Sequence, residues 1–458
     1  MIIKEKETDY SEWWNRVITD GDLVDIRYNL KGFFVWMPYG FSIMENITNY
    51  WDGLFCKEGI KKMYFPLLVP KEYAEKNKSW WNSFKEQAFY ASGFFDNEKN
   101  VFLRPTGEPA MYPMFSLWIR GYKDLPLRIY ENVSSFRNET KSTKVLVRDV
   151  EIGPWYEIHT AHATKEESEK EIELAIKLNE LIFKLIAVHP LKVRKPISDC
   201  FPGSIGAIEF YTLMNDSLVE NGSCNNLGQA YAKAFDIQFT NEKQKKEYAW
   251  QTCTGNGERL LSAIIANHAD EKGLIIPPDI APIKSCIVFI KLKEKEIKEK
   301  INTGLKSAEL EKVEVSDITS LGTARYLSEK KGIPLRIEIG PKELSKNGVL
   351  FSWRTGKKEF VPLDKIRDYL KRGMKDMQEQ LLESTKKEMN HRMKECNTFD
   401  EAKKSKIALV GWCGDEKCAG EIKYKTKKEI IGMSLDKKAK HCINCGKNGE
   451  VTYVSTSY

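Results

Sequence analysis

Four segments of the chain carry residue types that could handle a carboxylic acid and a nucleotide together. RPTGE (Arg104–Glu108) sets the Thr106 hydroxyl beside the Glu108 carboxylate. FRNETKSTKVLVRDVEI (Phe136–Ile152) carries Arg137, Glu139 and Arg148. WYEIHTAH (Trp155–His162) adds Trp155, Glu157 and His159, and QTCTGNGERLLSAIIANHADEKGLIIPP (Gln251–Pro278) brings Arg259 to the start of a helical run. Activating a carboxylic acid with ATP presses a carboxylate against a triphosphate, and both are anionic. Fixed positive charge, Mg2+ or both must remove that repulsion. A guanidinium binds in a planar, bidentate manner and keeps its proton, so Arg137 and Arg259 suit the task. Glu139 and Glu108 offer acceptors for an exocyclic amine or an ammonium group. Each segment alone also describes a surface ion pair; all four in one chain are what point to this chemistry.

A second chemistry sits near the C-terminus. Cys413 and Cys418 form C-x-x-x-x-C, and Cys442 and Cys445 form C-x-x-C. Four thiolates on two short glycine-containing turns make a closed tetrahedral Zn2+ site with no open position for catalysis. Lys417, Lys440 and Lys447 lie nearby and favour the thiolate forms. His159 and His162 have H-x-x-H spacing, but no third ligand lies close in sequence; a packed, hydrogen-bonded role is the simpler reading. There is no GxxxxGK[ST] loop, no GxGxxG after a strand and no HEXXH.

These residues need elements to position them. Hydrophobic patterning predicts strands at Val35–Pro38, Met63–Val69, Leu127–Val133 and Val145–Ile152. It predicts helices over Phe41–Leu54, Thr164–Val188 and Leu260–His268. Thr164 and Glu167 read as a capping box. PPDIAP, residues 277–282, is a break. After it come strands at Ile283–Ile290 and then Pro334–Ile339, a charged helix over Lys291–Leu310 containing KEKEIKEK, and a hairpin through Val349–Val361. A long helix follows from about Asp364 to Met393, with Ile366, Leu370, Met374, Met377 and Leu381 on one stripe.

The chain has 458 residues, enough for about three domains. Lys plus Arg is 72 against 65 for Asp plus Glu, and the resulting net charge of +7 permits an anionic partner without demanding one. Charged residues at 30% and hydrophobic ones at 41% describe a globular chain and exclude a disordered one. No apolar run reaches the ~18 residues of a membrane helix, and MIIKEKETDY lacks a signal-peptide core. A cytoplasmic protein with reduced thiols is expected.

The order of RPTGE, FRNE and GNGERL–HADEKGLIIPP resembles the class II aminoacyl-tRNA synthetases, and within them the archaeal and eukaryotic prolyl-tRNA synthetase family. DIRYNLKGFFVWMPYGF, EIHTAHATKEE, NNLGQAYAKAFDIQF and GIPLRIEIGP support the same resemblance. It implies an α+β fold in three parts. Residues 1–280 would form the class II catalytic domain, an antiparallel sheet of six to seven strands with flanking helices. Residues 281–383 would form an α/β anticodon-binding domain, and 384–458 a small zinc-binding C-terminal domain. It implies a homodimer, with the Phe41 helix and the Pro66 strand at the interface. The implied reaction is ATP-dependent activation of proline to an adenylate, then transfer to the terminal ribose of tRNA. About a hundred residues separate Glu151 from Thr252, so no editing domain in cis is expected. A diverged paralog activating another amino acid or analogue, and a catalytically silent tRNA-binding protein, share these motifs.

By position, the resemblance implies that Arg137 bridges the α-phosphate and the amino-acid carboxylate. Glu139 would face the adenine, Arg148 the bent triphosphate, and Arg259 the adenine and γ-phosphate. Glu220 and Ser223 would lie on the ATP side. Thr106 and Glu108 would hold the ammonium, Trp155, Glu157 and His159 would shape the pocket, Phe210 would close it, and Gly255 would allow close approach. Glu329, Lys331, Arg336 and Arg354 would lie near the anticodon. Mg2+ would assist at the phosphates, with Zn2+ on the four cysteines. Several positions depart from the family pattern, among them Gly107, Val145, Gly153-Pro154, Glu220, Asn225, Thr254, Gly257-Glu258 and Ala269. The phosphate-handling arginines survive these changes, and a glutamate at 220 would repel ATP where the family has a neutral amide.

Overall fold

The computed structural model describes residues 9–91, 100–139, 142–290, 313–316, 321–436 and 439–458. The helix expected over Lys291–Leu310 lies outside them. Helices Tyr10–Asp20 (α1), Pro38–Lys57 (α2), Glu108–Trp118 (α3), Lys165–Leu185 (α4) and Arg259–His268 (α5) surround a sheet built from seven strands. In chain order these are Lys61–Lys62 (β1), Leu127–Phe136 (β2), Glu151–His162 (β3), Leu191–Arg194 (β4), Gly206–Met214 (β5), Ser217–Gly228 (β6) and Trp250–Gly257 (β7). Their spatial order is β4-β5-β6-β7-β3-β2-β1, antiparallel throughout except where β1 joins β2. Residues 151–252 are occupied by this sheet, α4, a short helix and a hairpin, and no further domain is inserted between them.

α4 starts at a capping box: Glu167 N–H donates to Thr164 Oγ1 at 3.2 Å, and Thr164 N–H donates back to Glu167 Oε2 at 3.4 Å. Its buried face, including Leu178, Ile182 and Phe183, packs with Ile43, Ile47, Trp51 and Phe55 of α2 in one core behind the sheet. Strand alternation decides what that core receives. Tyr156 turns backward, edge-on to Trp51 and Phe55 at 4.9 and 4.8 Å, whereas Trp155, Glu157 and His159 line a cavity on the other face.

Two expected strands differ. Residues 145–149 form a turn, closed by Val147 and Arg148 N–H donating to the Lys144 carbonyl at 2.9 and 2.7 Å, and the strand starts only at Glu151. Within Met63–Val69, pairing covers Leu68–Pro70 alone; Pro66 has no N–H for a ladder.

Beyond the 277–282 break, strands Ser285–Phe289 (β8), Val313–Ser316 (β9), Leu335–Ile339 (β10), Gly348–Trp353 (β11) and Lys358–Pro362 (β12) form a mixed sheet ordered β9-β8-β10-β11-β12. The strand near Pro334 is therefore third in the chain, not second. Helix Ile366–Arg392 (α6) buries Ile366, Leu370, Met377 and Leu381, with Met374 partly covered. It runs unbroken through the expected boundary at 383/384. Strands Met393–Glu395 (β13), Ile407–Trp412 (β14), Glu429–Ser434 (β15) and Asn448–Ser455 (β16) then extend the catalytic sheet itself, because β15 pairs with β4. No helix among the described residues is long and apolar enough to cross a membrane.

Candidate active site

β3, β5, β6 and β7 present their front faces to one cavity of about 330 Å³, which Arg137 reaches from just past the end of β2. Glu131 and Glu157 stand opposite each other in register, as do Glu157 and Gly255. Gly257 is required by Trp155, since a Cβ there would lie 2.3 Å from the Trp155 Cβ. Gly107 is required by the acids, since its Cβ would lie 2.3 Å from Glu157 Oε2.

One end of the cavity is buried and charged. Arg104 Nη1 pairs with Glu131 Oε1 at 2.5 Å, and both side chains have no exposure. His159 lies 3.5 Å from Glu157 Oε2 and 2.9 Å from the Tyr112 hydroxyl through Nδ1. Burial alone would lower the His159 pKa, but the Glu157 hydrogen bond and the charges of Glu108, Glu157 and Glu131 raise it. Burial would raise Glu157, and His159, Arg104 and Thr106 together hold it below its ordinary value. Glu108 is raised, first by burial and also by Glu157. Thr106 Oγ1 lies 2.7 Å from Glu108 Oε2 and 2.6 Å from Glu157 Oε1. A hydroxyl has one proton, so it cannot donate fully to two carboxylates. Thr106 therefore satisfies one carboxylate at a time, and the other oxygen stays open to a further donor.

The other end holds the arginines. Arg137 Nε donates to the Pro105 carbonyl at 3.2 Å, and its guanidinium lies 5.7 and 5.9 Å from the Phe84 and Trp155 ring centres. Burial and then the Arg259 charge depress its pKa. Arg259, first residue of α5, donates through Nε to the Val147 carbonyl at 2.8 Å and pairs through Nη1 with Glu220 Oε2 at 3.0 Å. Both arginines line the same cavity, as do Ser223, Asn225 and Thr254. Behind Arg259, Glu258 accepts from Gly153 N–H at 2.7 Å. Burial and the neighbouring Asp149 carboxyl raise Glu258 well above its ordinary value, and Asp149 is pushed up to about 8, mainly by burial.

Three expectations need correction. Phe210 does not close the cavity; it is fully buried on the back of β5, stacked on Phe183 at 5.5 Å, because alternation gives the front position to Glu209. Arg148 lines a neighbouring cavity with Lys31, Lys144 and Tyr458. Glu139 lines neither cavity, although its charge reaches Arg137. Of the residues expected at the anticodon, Arg354 and Lys331 meet the catalytic domain, whereas Arg336 and Glu329 pair within their own. Arg354 is held by Asp270 at 2.8 and 2.5 Å and by the Leu274 carbonyl at 2.9 Å. Lys331 reaches Asp22 at 3.7 Å. Arg336 is buried against Glu338 at 2.7 Å, with Glu329 at 3.9 Å.

Sequence reading missed Glu131 and Glu209. Each is a charged residue beside apolar neighbours on a strand, Glu131 after Ile129 and Tyr130 and Glu209 between Ile208 and Phe210, and that was the available signal. His162 bonds Thr160 Oγ1 at 2.8 Å, and its pKa is lowered to about 4, mainly by burial. Far from the cavity, one sulfur from each of Cys413, Cys418, Cys442 and Cys445 lies within 4.8 Å of the others. Burial would raise Cys442, but backbone amides around the turn hold it at about 7.

Residues 89–268 match the class II tRNA synthetase core domain (G, H, P, S and T), 282–373 the anticodon binding domain, and 396–458 the prolyl-tRNA synthetase C-terminal domain. The chain is 37% identical to a proline–tRNA ligase of Methanococcoides burtonii, covering 95% of each chain. It is 36% identical to one of Methanothermobacter thermautotrophicus, covering 97% of this chain and 94% of that one. Among solved structures it resembles Giardia lamblia prolyl-tRNA synthetase in complex with prolyl-adenylate, with a TM-score of 0.93, 30% identity and 98% coverage of both chains. A Cryptosporidium parvum prolyl-tRNA synthetase complexed with L-proline and AMP gives a TM-score of 0.92 at 27% identity, covering 99% of this chain and 96% of that one.

Proposed function

The chain belongs to the class II prolyl-tRNA synthetase family, and from that premise we propose that it is a proline–tRNA ligase whose buried acid end binds the amino group and whose arginine end binds ATP. The observation that carries the reading is the convergence of Arg137 and Arg259, 122 positions apart in sequence, on the cavity that also holds Thr106, Glu108 and Glu157. The secondary ammonium of proline is held by Thr106 and the two carboxylates, with Trp155 against the ring. Arg137 offsets the repulsion between the proline carboxylate and the α-phosphate. One carboxylate oxygen attacks the α-phosphorus, and the bond to pyrophosphate breaks. The tRNA ribose hydroxyl then attacks the acyl carbon and AMP leaves. No side chain need be a strong base, because positioning and charge neutralisation do the work.

Glu209 and Ser223 face each other in register on the ATP side. As hard oxygen donors they fit Mg2+, which would supply further positive charge across the phosphates. The four cysteines fit Zn2+ by donor type and proximity. The exposed Tyr64, Leu68, Leu117 and Trp118 support a homodimer interface near Pro66, and a cytoplasmic location follows from the reaction.

Amino-acid-dependent pyrophosphate exchange across the common amino acids tests the reading. Exchange with proline alone supports it. Exchange only with another amino acid, or tRNA binding without exchange, overturns it. Chelating zinc should melt the C-terminal segment first and leave most exchange intact; an unchanged melting profile would count against the metal.

A further inference from the structure

Lys195 follows β4 directly and is 6% exposed. Its ammonium has four partners. Two are carboxylates of the ATP-side wall, Asp199 and Glu209, the latter at 3.4 Å. The third is the Tyr211 hydroxyl at 3.3 Å, which itself donates to Glu209 Oε2 at 2.5 Å. The fourth lies in the C-terminal domain: the Ile431 carbonyl of β15, at 3.2 Å. Asp199, Glu209 and Glu220 all line the cavity. Glu220 is met by Arg259, which leaves Lys195 to offset the other two.

β15 is fixed closely to β4 at this point. Met433 and Ser434 pair with Arg194 and Val193, and a Cβ on Gly432 would lie 2.7 Å from Val193 Cγ2. A shift of β15 therefore moves the carbonyl that holds Lys195. A buried ammonium needs its acceptors, so it cannot follow one without loosening the others.

We propose that Lys195 is a positioning residue through which the C-terminal domain sets the charge and shape of the ATP-side wall. The proposal rests on the ligase reading above. Without Lys195 the Asp199 and Glu209 carboxylates lose the ammonium that fixes their positions on the ATP-side wall, so ATP affinity falls. The proline end lies across the cavity and keeps its own ion pairs.

The test uses the full chain with its zinc. Lys195→Met should raise both the KM for ATP in proline-dependent exchange and the calorimetric Kd for ATP about tenfold, with the KM for proline within about twofold of the parent. Gly432→Ala, which forces β15 from Val193 without touching the cavity, should raise the KM for ATP about threefold, and the double variant should be no worse than Lys195→Met alone. An unchanged ATP Kd in Lys195→Met, equal rises in both KM values, or simple additivity in the double variant would each overturn the proposal. If Lys195→Met does not fold, Gly432→Ala alone decides: a selective rise for ATP supports the coupling, and none refutes it. A parent protein with no proline-dependent exchange would instead refute the ligase reading.

Discussion

The two ends of the cavity manage charge in opposite ways. At the amino-acid end Arg104, Glu131, Glu157 and His159 are buried and already paired, so their desolvation was completed when the chain folded. At the ATP end Arg259 remains partly exposed and rests against Glu220, whose side chain is 36% exposed. The first end is prearranged for a small cation. The second is held by a counter-ion that a polyanion must displace. A rigid buried site discriminates among small ligands, while a half-open one admits a large, flexible, charged one.

Removing charge at the open end should cost most. Arg137→Ala should lower the rate of proline-dependent exchange by about 10³-fold, the cost expected if the guanidinium meets the charge of the transition state as proposed. Near-normal exchange would break the division outright. At the closed end, Glu157→Gln should raise the KM for proline by about 10²-fold with a smaller change for ATP, since it strands His159 and Thr106. Equal effects on both substrates would show that the ends are not separate.

Smaller effects sharpen the contrast. Glu220→Gln removes the resident counter-ion of Arg259 and should lower the KM for ATP about threefold; a raised KM would mean that Glu220 serves ATP rather than competing with it. Behind the open end, Asp149 has its folded pKa raised to about 8. A carboxyl raised on folding contributes stability that is present at low pH and lost as pH rises through the folded value, at up to about 1.4 kcal/mol per pH unit. Asp149→Asn has no such dependence. Its melting temperature relative to the parent should therefore climb from about pH 5 to about pH 9, and a constant difference would contradict the burial of this carboxyl.

The residue types and spacings by themselves determined the chemistry and most of the helices. Two arginines bracketing acids, two cysteine pairs at short spacing, a capping box at Thr164 and the α6 stripe are local patterns. Local patterns survive without knowledge of what lies opposite. Tertiary structure alone decided which face each strand residue would take and which distant partner it would meet. It put Glu209 rather than Phe210 on the cavity and set Arg148 on a neighbouring one. It drew Arg336 into an ion pair within its domain and Arg354 into one with Asp270 across the domain boundary, and merged the C-terminal strands with the catalytic sheet at β4. The physical reason is that alternation fixes only that neighbours point oppositely. Register across strands remote in sequence decides which face is inside, and a charge buried there must find its partner in that register.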